Sequence, residues 1–358
     1  MRGAVECRGL TKVFEYRVRR GTCIESPGDV IYLSLLTLFT SYWIRGERRR
    51  VVALSGVTFT AREGEVLGIL GPNGSGKTTL LKIVSGFIYP TSGEVYVLGH
   101  DVFREVDAVR SKLLYVTSAH LGGFGFSPLF SVRKNLEYMF RLYRIPRDRV
   151  DEAIDRLGLK EYADKPLGYL SPGLASRVVL APMFFVEQGV LLLDEPTQGL
   201  SPEAVRAIHE YVREIGGRGV TVLYATNRVY EAEAVCDRFI ILHRGRLVAS
   251  GRLEELVRRA ALKSAVRVTL SSELSAEALA EALGPEFRVE ERGGGRYVVT
   301  ALTADPAEAI SEVFDRLRGR GAVVSIKIDE PTLEDVFMHY VGGEVGEELE
   351  ERGFCLVH

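Results

Sequence analysis

The sequence predicts an α/β fold with a parallel sheet at its core, followed by a smaller α+β domain. A continuous apolar run, Val66 to Leu70, is typical of a buried parallel strand and leads through a glycine-rich turn into a helix. A second such run, Gly189 to Asp194, ends in carboxylates, where open α/β sheets place their ligands. Near Ala261 the pattern restarts in the order β-α-β-β-α-β, which is typical of a ferredoxin-like domain.

The turn after the first apolar run carries the pattern G-x-x-x-x-G-K-[ST]. Gly71, Gly76, Lys77 and Thr78 satisfy it, with the strand before and the helix after it that the motif requires. Glycines let the backbone wrap closely around phosphates, so that N–H groups and the helix N-terminus face the anion. Lys77 supplies a charge for the β- and γ-phosphates, and Thr78 a hydroxyl for Mg²⁺. This pattern predicts a nucleotide site.

The second apolar strand ends in an adjacent pair of carboxylates, Asp194 and Glu195. Asp194 is suited to holding Mg²⁺ through water, and Glu195 to acting as general base on an attacking water. An Asp-Glu pair also occurs in ordinary exposed turns. The phosphate loop earlier in the chain favours the catalytic interpretation.

Length and composition limit the classes of protein to consider. The 358 residues suggest about two domains, and 26% charged and 46% apolar residues are typical of a globular protein. Because the net charge is −2, nothing global indicates a nucleic-acid partner, and none is expected. The longest apolar stretch, Val30 to Ile44, is shorter than the ~20 residues of a spanning helix. The protein is therefore not expected to cross a membrane by itself.

We predict a first domain over residues 1–260, a ferredoxin-like domain over 261–341 and an acidic, loose tail over 342–358. In the first domain, strands Val5 to Phe14 and Val52 to Thr60 flank an insertion at 16–50, and a helical region covers about 118–186. The insertion contains an amphipathic helical pattern with basic residues at both ends. It would either dock on a partner, contact a lipid surface or pack on its own domain.

Taken together, these motifs resemble those of the ATP-binding subunit of an ABC transporter, over nearly the whole chain. Gly71 to Thr79 match the Walker A motif, and Val190 to Glu195 match Walker B with its catalytic Glu. Leu170-Ser-Pro-Gly-Leu174 starts 24 residues before Asp194, where the family has its L-S-G-G-Q signature. The resemblance implies an ABC cassette, with a parallel core, an N-terminal antiparallel β region and a helical signature subdomain.

The resemblance also implies roles for individual residues. An aromatic residue at the position of Phe14 usually stacks on adenine. The catalytic residues would be Glu195, Lys77 and Asn227, and the metal ligands Thr78, Asp194 and Ser118. The nucleotide-binding residues would be Phe14, Asn73, Gly74, Ser75, Gly76, Lys77, Thr78, Thr79, Ser171 and Gly173. The cofactors would be ATP and Mg²⁺.

The C-terminal segment Pro331 to Phe337 and the basic insertion resemble exporter ATPases of the drug and polysaccharide type, related to daunorubicin and viologen exporters. Such subunits lie on the inner face of the cell membrane and energise a separate permease chain, which they meet near the helix predicted at Ser131 to Arg144. Two ATPase subunits, of the same or different chains, sandwich two ATPs. Each site joins the Walker motifs of one subunit to the signature of the other.

The chain departs from the family pattern at several positions. Ser118 replaces a Gln, Asn227 a His and Ser201 an Asp, while Pro172 and Leu174 replace Gly and Gln in the signature. We therefore expect ATP binding with slow hydrolysis. The alternative is a regulatory subunit with a degenerate site, paired with a different, active ATPase. A soluble ABC ATPase acting on nucleic acid fits less well, because such chains usually carry two cassettes or long coiled-coil insertions.

Overall fold

The computed structural model describes residues 3–18, 47–117, 126–143, 145–185, 189–318 and 320–351. Ser118 and the amphipathic helical pattern predicted inside the insertion lie outside these ranges. The chain divides into two compact units between Arg252 and Leu253. The predicted boundary followed residue 260. The difference arises because helix Leu253–Arg259 packs against the last helix of the second unit.

An antiparallel sheet opens the first unit, as predicted, with strand order β2-β1-β4-β5 in the described residues. Its strands are β1 (Gly3–Val18), β2 (Glu47–Arg62), β4 (Ser92–Val97) and β5 (His100–Asp101). The predicted insertion was placed too wide, because β1 and β2 stay paired as far as Val18 and Glu47. Residues 16–18 and 47–50 are therefore strand.

The core of this unit is a second sheet of order β10-β9-β3-β8-β7-β6 in the described residues. Its members are β3 (Val66–Leu70), β6 (Leu113–Thr117), β7 (Val190–Asp194), β8 (Thr221–Thr226), β9 (Arg238–His243) and β10 (Arg246–Gly251). All neighbours pair in parallel except β9 and β10, which form a closing hairpin. Both apolar runs that predicted the fold are fully buried here.

The helices of the first unit are α1 (Lys77–Val84), α2 (Val106–Arg110), α3 (Val132–Leu142), α4 (Arg149–Arg156), α5 (Pro172–Leu180), α6 (Pro202–Gly217) and α7 (Val229–Val235). Two helices are shorter than the sequence pattern predicts, which gives one helix around Val102 to Lys112 and another from the signature segment to about Val186. The one predicted to reach Val186 ends at Leu180 and tightens into a 3₁₀ turn, because Pro182 cannot continue the backbone ladder. The one predicted from Val102 starts at Val106, because Asp101 accepts two N–H groups in a preceding turn.

Helices α3, α4 and α5 share an apolar core of their own, separate from the cores on the two faces of the parallel sheet. Val132, Leu136 and Phe140 contribute from one face of α3, and Ile154 and Val178 from the other two helices. Ser131 caps α3, since its hydroxyl accepts the N–H of Lys134 at 3.2 Å. This cluster is the core of the helical region, and Leu170 and Leu174 of the signature segment pack against it.

The second unit contains α8 (Leu253–Arg259), β11 (Ser264–Ser271), α9 (Ala276–Leu283), β12 (Phe287–Gly293), β13 (Arg296–Thr303), α10 (Pro306–Arg316), β14 (Ala322–Asp329) and α11 (Leu333–Glu351). Its sheet has the order β12-β13-β11-β14, with every pair antiparallel. This is the predicted ferredoxin-like arrangement, and α9 and α10 contribute to its apolar core.

The sequence pattern predicts a short helix from Leu333 to Tyr340 and a loose tail from residue 342, but α11 does not end at Tyr340. It continues to Glu351, so that prediction is wrong for residues 342–351. Glutamate is a strong helix former, and here it outweighs the glycines at 342, 343 and 346. Among the helices that the structure describes, none combines the length and the apolar content that a membrane span needs.

Candidate functional site

The glycine-rich turn between β3 and α1 forms a cradle of backbone. Gly76 adopts a φ of +107°, and a Cβ there would lie 2.6 Å from the carbonyl oxygen of Ala53. At Gly71 a Cβ would lie 2.4 Å from both the Leu242 carbonyl oxygen and the Ser75 hydroxyl. Because these contacts exclude side chains, the loop presents its amides, which is the arrangement that phosphate binding requires.

Ser75 supplies a polar atom inside this cradle. Its side chain is 2% exposed, and its Oγ has no hydrogen-bond partner in the described structure. Buried hydroxyls are nearly always paired in folded proteins. An unpaired one inside a backbone cradle therefore fits a site that receives a polar ligand, and the residues present fit a nucleotide phosphate.

Lys77, the first residue of α1, is only 6% exposed, and its Nζ is held by the loop. It donates to the carbonyl oxygens of Gly71 at 2.7 Å and Pro72 at 3.2 Å, and it lies 3.6 Å from Glu195 Oε1. Burial lowers the pKa of Lys77, while the charges of Glu195 and Asp194 oppose that shift. The loop thus contains a buried positive charge at its centre.

Asp194 ends β7 next to this loop and is 2% exposed. Its Oδ1 accepts a hydrogen bond from Thr78 Oγ1 at 3.1 Å, and its Oδ2 accepts one from the Tyr115 hydroxyl at 2.9 Å. Burial raises the pKa of Asp194, and these two hydrogen bonds oppose the rise. A carboxylate beside a hydroxyl offers the hard oxygen ligands that Mg²⁺ takes alongside nucleotide phosphates, so the residues fit this metal.

Glu195 has a left-handed backbone, with φ of +48°, a strained conformation for a residue with a side chain. Strand β8 holds it there. The Glu195 N–H donates to the Ala225 carbonyl oxygen at 2.9 Å, and Thr226 Oγ1 donates to Glu195 Oε2 at 3.1 Å. Burial raises the pKa of Glu195, with the Lys77 charge opposing the rise. In this conformation the carboxylate lies 3.6 Å from Lys77 Nζ.

Asn227, which replaces the family's His, lies against the phosphate loop. Its Nδ2 donates to Asn73 Oδ1 at 3.1 Å, so residues 154 positions apart meet at one edge of the cradle. Gly74 belongs to the same turn, with φ of +81°, and Thr79 is buried in the first turn of α1. The structure therefore brings together the predicted residues of Walker A, Walker B and the following strand.

Phe14 lies on the strand pair that borders the cradle. It pairs with Val51 on β2, two residues from Ala53, whose carbonyl oxygen lies against Gly76. The ring is half-buried, and Lys12 Nζ lies 5.0 Å from its centroid. This placement leaves Phe14 a candidate for contact with the nucleotide base.

In the signature segment Ser171 is exposed, whereas Gly173 and Leu174 are half-buried. Ser171 caps α5 by accepting the Leu174 N–H at 3.4 Å, and Pro172 stands at the first helical position. A Cβ on Gly173 would have nothing within 4 Å. The structure places Ser171 and Gly173 at an open helix start, where they contribute to no described contact with Lys77 or Asp194. Ser118, the third predicted metal ligand, lies outside the described residues.

The sequence did not predict Tyr115 as part of the site. Tyr115 lies two residues before Thr117, which pairs in register with Asp194. Residues two apart on a strand share a face, so Tyr115 is on the face of Asp194. Only the strand order β7-β6 could have revealed this, and a single sequence does not show strand order.

Two segments of the chain match known family models. Residues 54–198 match the model described as "ABC transporter". Residues 251–341 match the model described as "ATP-binding protein DrrA1-3-like, C-terminal domain". The first match contains the phosphate loop, the signature segment and the Asp194-Glu195 pair.

The chain is also similar over most of its length to curated proteins and solved structures. It is 33% identical over 302 residues to the daunorubicin resistance ATP-binding protein DrrA3 of Streptomyces coeruleorubidus, covering 82% of this chain and 92% of that protein. It is 30% identical over 343 residues to the Nod factor export ATP-binding protein I of Rhizobium meliloti, covering 93% and 96%. A solved ATP-binding subunit of an ABC transporter, 22% identical, aligns with a TM-score of 0.55 over 72% of this chain and 93% of that one, and confirms the fold. The chain belongs to the family of ATP-binding subunits of ABC transporters.

Proposed function

We propose that this chain is the ATP-hydrolysing subunit of an exporter, and that it energises a separate permease chain through ATP-driven closure of a dimer. The observation that carries the proposal is the meeting of Lys77, Asp194 and Glu195 at one edge of the parallel sheet. These residues provide a phosphate charge partner, a metal ligand and a general base within one cradle.

The residues of the site have different roles in ATP hydrolysis. The loop amides and Lys77 bind the β- and γ-phosphates, replacing the carbonyl contacts that Lys77 now makes with Gly71 and Pro72. Glu195 accepts a proton from the attacking water, since Thr226 and the Ala225 carbonyl hold its carboxylate and backbone in place. Asn227 orients the loop through Asn73 and carries no titratable proton.

Thr78 and Asp194 would hold Mg²⁺, which neutralises charge on the β- and γ-phosphate oxygens during phosphoryl transfer. Their oxygens already lie 3.1 Å apart in a hydrogen bond. A bound metal would take the place of this hydrogen bond. Phe14, on the neighbouring strand pair, would stack on the adenine ring.

The signature segment supports a dimer. Ser171 is exposed at a helix start, and a Cβ on Gly173 would have nothing within 4 Å, which leaves room for the γ-phosphate of an ATP held by another subunit. Since this chain carries both the Walker residues and a signature, two copies would complete two sites. We propose a second copy as the partner, in preference to a different ATPase chain.

A surface beside α3 supports docking to a permease. Leu129 is 84% exposed at its start, and Tyr138 and Leu142 are exposed along it. Exposed apolar residues in such a group mark interaction sites. The similarity to a daunorubicin resistance ATP-binding protein and to a Nod factor export ATP-binding protein supports export as the direction of transport. The protein would act peripherally, on the inner face of the cell membrane.

The C-terminal segment that indicated an exporter has a structural role in this chain. Thr332 and Asp335 cap α11 reciprocally: the Thr332 N–H and hydroxyl donate to Asp335 Oδ2 at 2.8 Å, and the Asp335 N–H donates back to Thr332 Oγ1 at 3.3 Å. Leu333 and Val336 are fully buried beneath this cap. The segment therefore fastens the last helix to the second unit.

ATP hydrolysis by the purified chain beside a Glu195→Gln variant tests the proposal. Gln cannot accept the proton of the attacking water, so we expect the rate to fall at least about 100-fold while ATP binding persists. Glu233→Gln, an exposed carboxylate on α7, is the matched control and should leave the rate unchanged. Equal rates for wild type and Glu195→Gln would refute the assignment of Glu195 as the general base. ATP binding without hydrolysis by wild type would refute the proposal that this chain is an ATP-hydrolysing subunit.

A further inference from the structure

We propose that Tyr115 is a positioning residue that acts through Asp194 and sets the affinity of the Mg²⁺ site. Its hydroxyl would hold the Asp194 carboxylate so that Oδ1 faces Thr78 and the metal. The inference rests on the proposed function, because it concerns the metal of the same site.

The geometry divides the two oxygens of Asp194 between two donors. Tyr115 donates to Oδ2 at 2.9 Å from the neighbouring strand β6, and Thr78 donates to Oδ1 at 3.1 Å from the phosphate loop. A phenol and an alcohol each donate one hydrogen bond. If a bound metal replaces the hydrogen bond from Thr78, the hydrogen bond from Tyr115 still orients the Asp194 carboxylate.

Tyr115 is itself fixed on several sides. It is buried in the core that covers one face of the parallel sheet, and its ring lies 5.8 Å from that of Phe87. Its backbone is held in strand β6, where Tyr115 pairs in register with Leu192 of β7. Because the ring cannot swing away without leaving the core, the hydroxyl is a rigid support for the carboxylate.

Partners that hydrogen-bond a metal ligand tune its orientation, and their loss typically lowers metal affinity by about 10- to 100-fold. Tyr115 meets this description by contact with Asp194. The support matters more here because Ser118 replaces the Gln that the resemblance places on the metal, and serine has a shorter reach. The sequence pattern leaves Asp194 and Thr78 as the principal protein ligands.

Tyr115→Phe tests the inference, because it removes the hydroxyl and keeps the ring. Binding of a fluorescent N-methylanthraniloyl ATP is measured in EDTA and then across a Mg²⁺ titration. We expect the same nucleotide affinity as wild type in EDTA, with about tenfold more Mg²⁺ needed for half-maximal binding. Saturating Mg²⁺ should then restore the wild-type hydrolysis rate, which a folding defect would not allow.

Tyr211→Phe is the matched control, since Tyr211 is buried and its hydroxyl donates to the Met183 carbonyl oxygen, away from the site. It should leave the Mg²⁺ requirement unchanged. An unchanged Mg²⁺ requirement in Tyr115→Phe, or a weaker affinity in EDTA alone, overturns the inference and leaves the proposed function standing. If wild type itself shows no Mg²⁺-dependent binding, the proposed function fails instead.

Discussion

The proposed nucleotide site has a Walker half around Lys77 and Asp194 and a signature half around Ser171 and Gly173, and the two are built in opposite ways. The Walker half is buried and hydrogen-bonded internally, with Lys77 held by loop carbonyls and Asp194 held by Thr78 and Tyr115. The signature half is a helix start on the surface, where Ser171 caps its own helix and the space around Gly173 is open.

This contrast separates two tasks. A buried cradle that is already ordered binds a nucleotide without a large ordering cost, so the Walker half should bind ATP by itself. The exposed helix start offers N–H groups to an anion but no pocket of its own. It should therefore act only when another subunit brings a nucleotide to it. Changes in the phosphate loop should abolish binding, whereas changes in the signature segment should spare binding and abolish turnover.

The largest effect is expected from Gly76→Ala. The new Cβ would collide with the Ala53 carbonyl oxygen at 2.6 Å, and the φ of +107° is unfavourable for alanine. We expect loss of measurable ATP binding and a fall of about 1–3 kcal/mol in the free energy of unfolding. Fluorescent-nucleotide titration and denaturant unfolding would measure the two quantities.

Gly99→Ala is the matched control for this change. Gly99 also has a positive φ, +81°, but a Cβ there would meet nothing within 4 Å. It should show only the backbone strain, about 1–2 kcal/mol, with normal ATP binding. If Gly76→Ala binds ATP as well as Gly99→Ala does, the close approach of Gly76 to the Ala53 carbonyl oxygen is not needed for nucleotide binding.

The next effect in size is that of Ser171→Ala. We expect ATP binding to the isolated chain to stay normal, while hydrolysis falls about 100-fold because a donor to the partner's phosphate is lost. Loss of the cap should also cost about 1 kcal/mol of stability. Binding titrations and steady-state hydrolysis on the same preparation separate the two effects.

Ser275→Ala reproduces the capping loss in the second unit, where Ser275 accepts the Ala278 N–H at 3.3 Å. Its stability should fall by a similar amount, with no change in hydrolysis. A Ser171→Ala variant that loses ATP binding together with turnover would contradict the division between the two halves.

The smallest effect concerns pH. Burial raises the pKa of Glu195, and only its carboxylate form accepts a proton, so the acidic limb of the rate profile should lie at higher pH than for an ordinary glutamate. Below that pKa the rate should fall about tenfold per pH unit. Hydrolysis at saturating ATP across the acidic range gives the limb, and an acidic limb at the pH of an unshifted glutamate would contradict the burial described for Glu195.

Sequence reasoning predicted the phosphate loop and the Asp194-Glu195 pair, because a phosphate loop and a buried strand ending in carboxylates have strong local signals. It did not predict the contacts that depend on strand order. Tyr115 reaches Asp194 across β6 and β7, and Asn227 reaches Asn73 across β8 and β3. Neither contact is signalled by the sequence around the residues that make it.

Helix ends were the other weak point. The α5 prediction passed through Pro182, and the α11 prediction stopped at Tyr340, although the helix continues to Glu351. Both ends depend on a balance between weak propensities and the surrounding packing, which periodicity alone does not resolve. The fold class and the order of elements did not depend on these ends and were predicted correctly.

The most direct test of the two-halves account is the mass of the Glu195→Gln protein by analytical ultracentrifugation, with and without Mg²⁺-ATP. This variant should bind ATP and not hydrolyse it, so it should accumulate the closed state. The account predicts a monomer without nucleotide and twice that mass with Mg²⁺-ATP, reverting to a monomer when Ser171→Ala is added. A protein that binds ATP and stays monomeric at every concentration would contradict it.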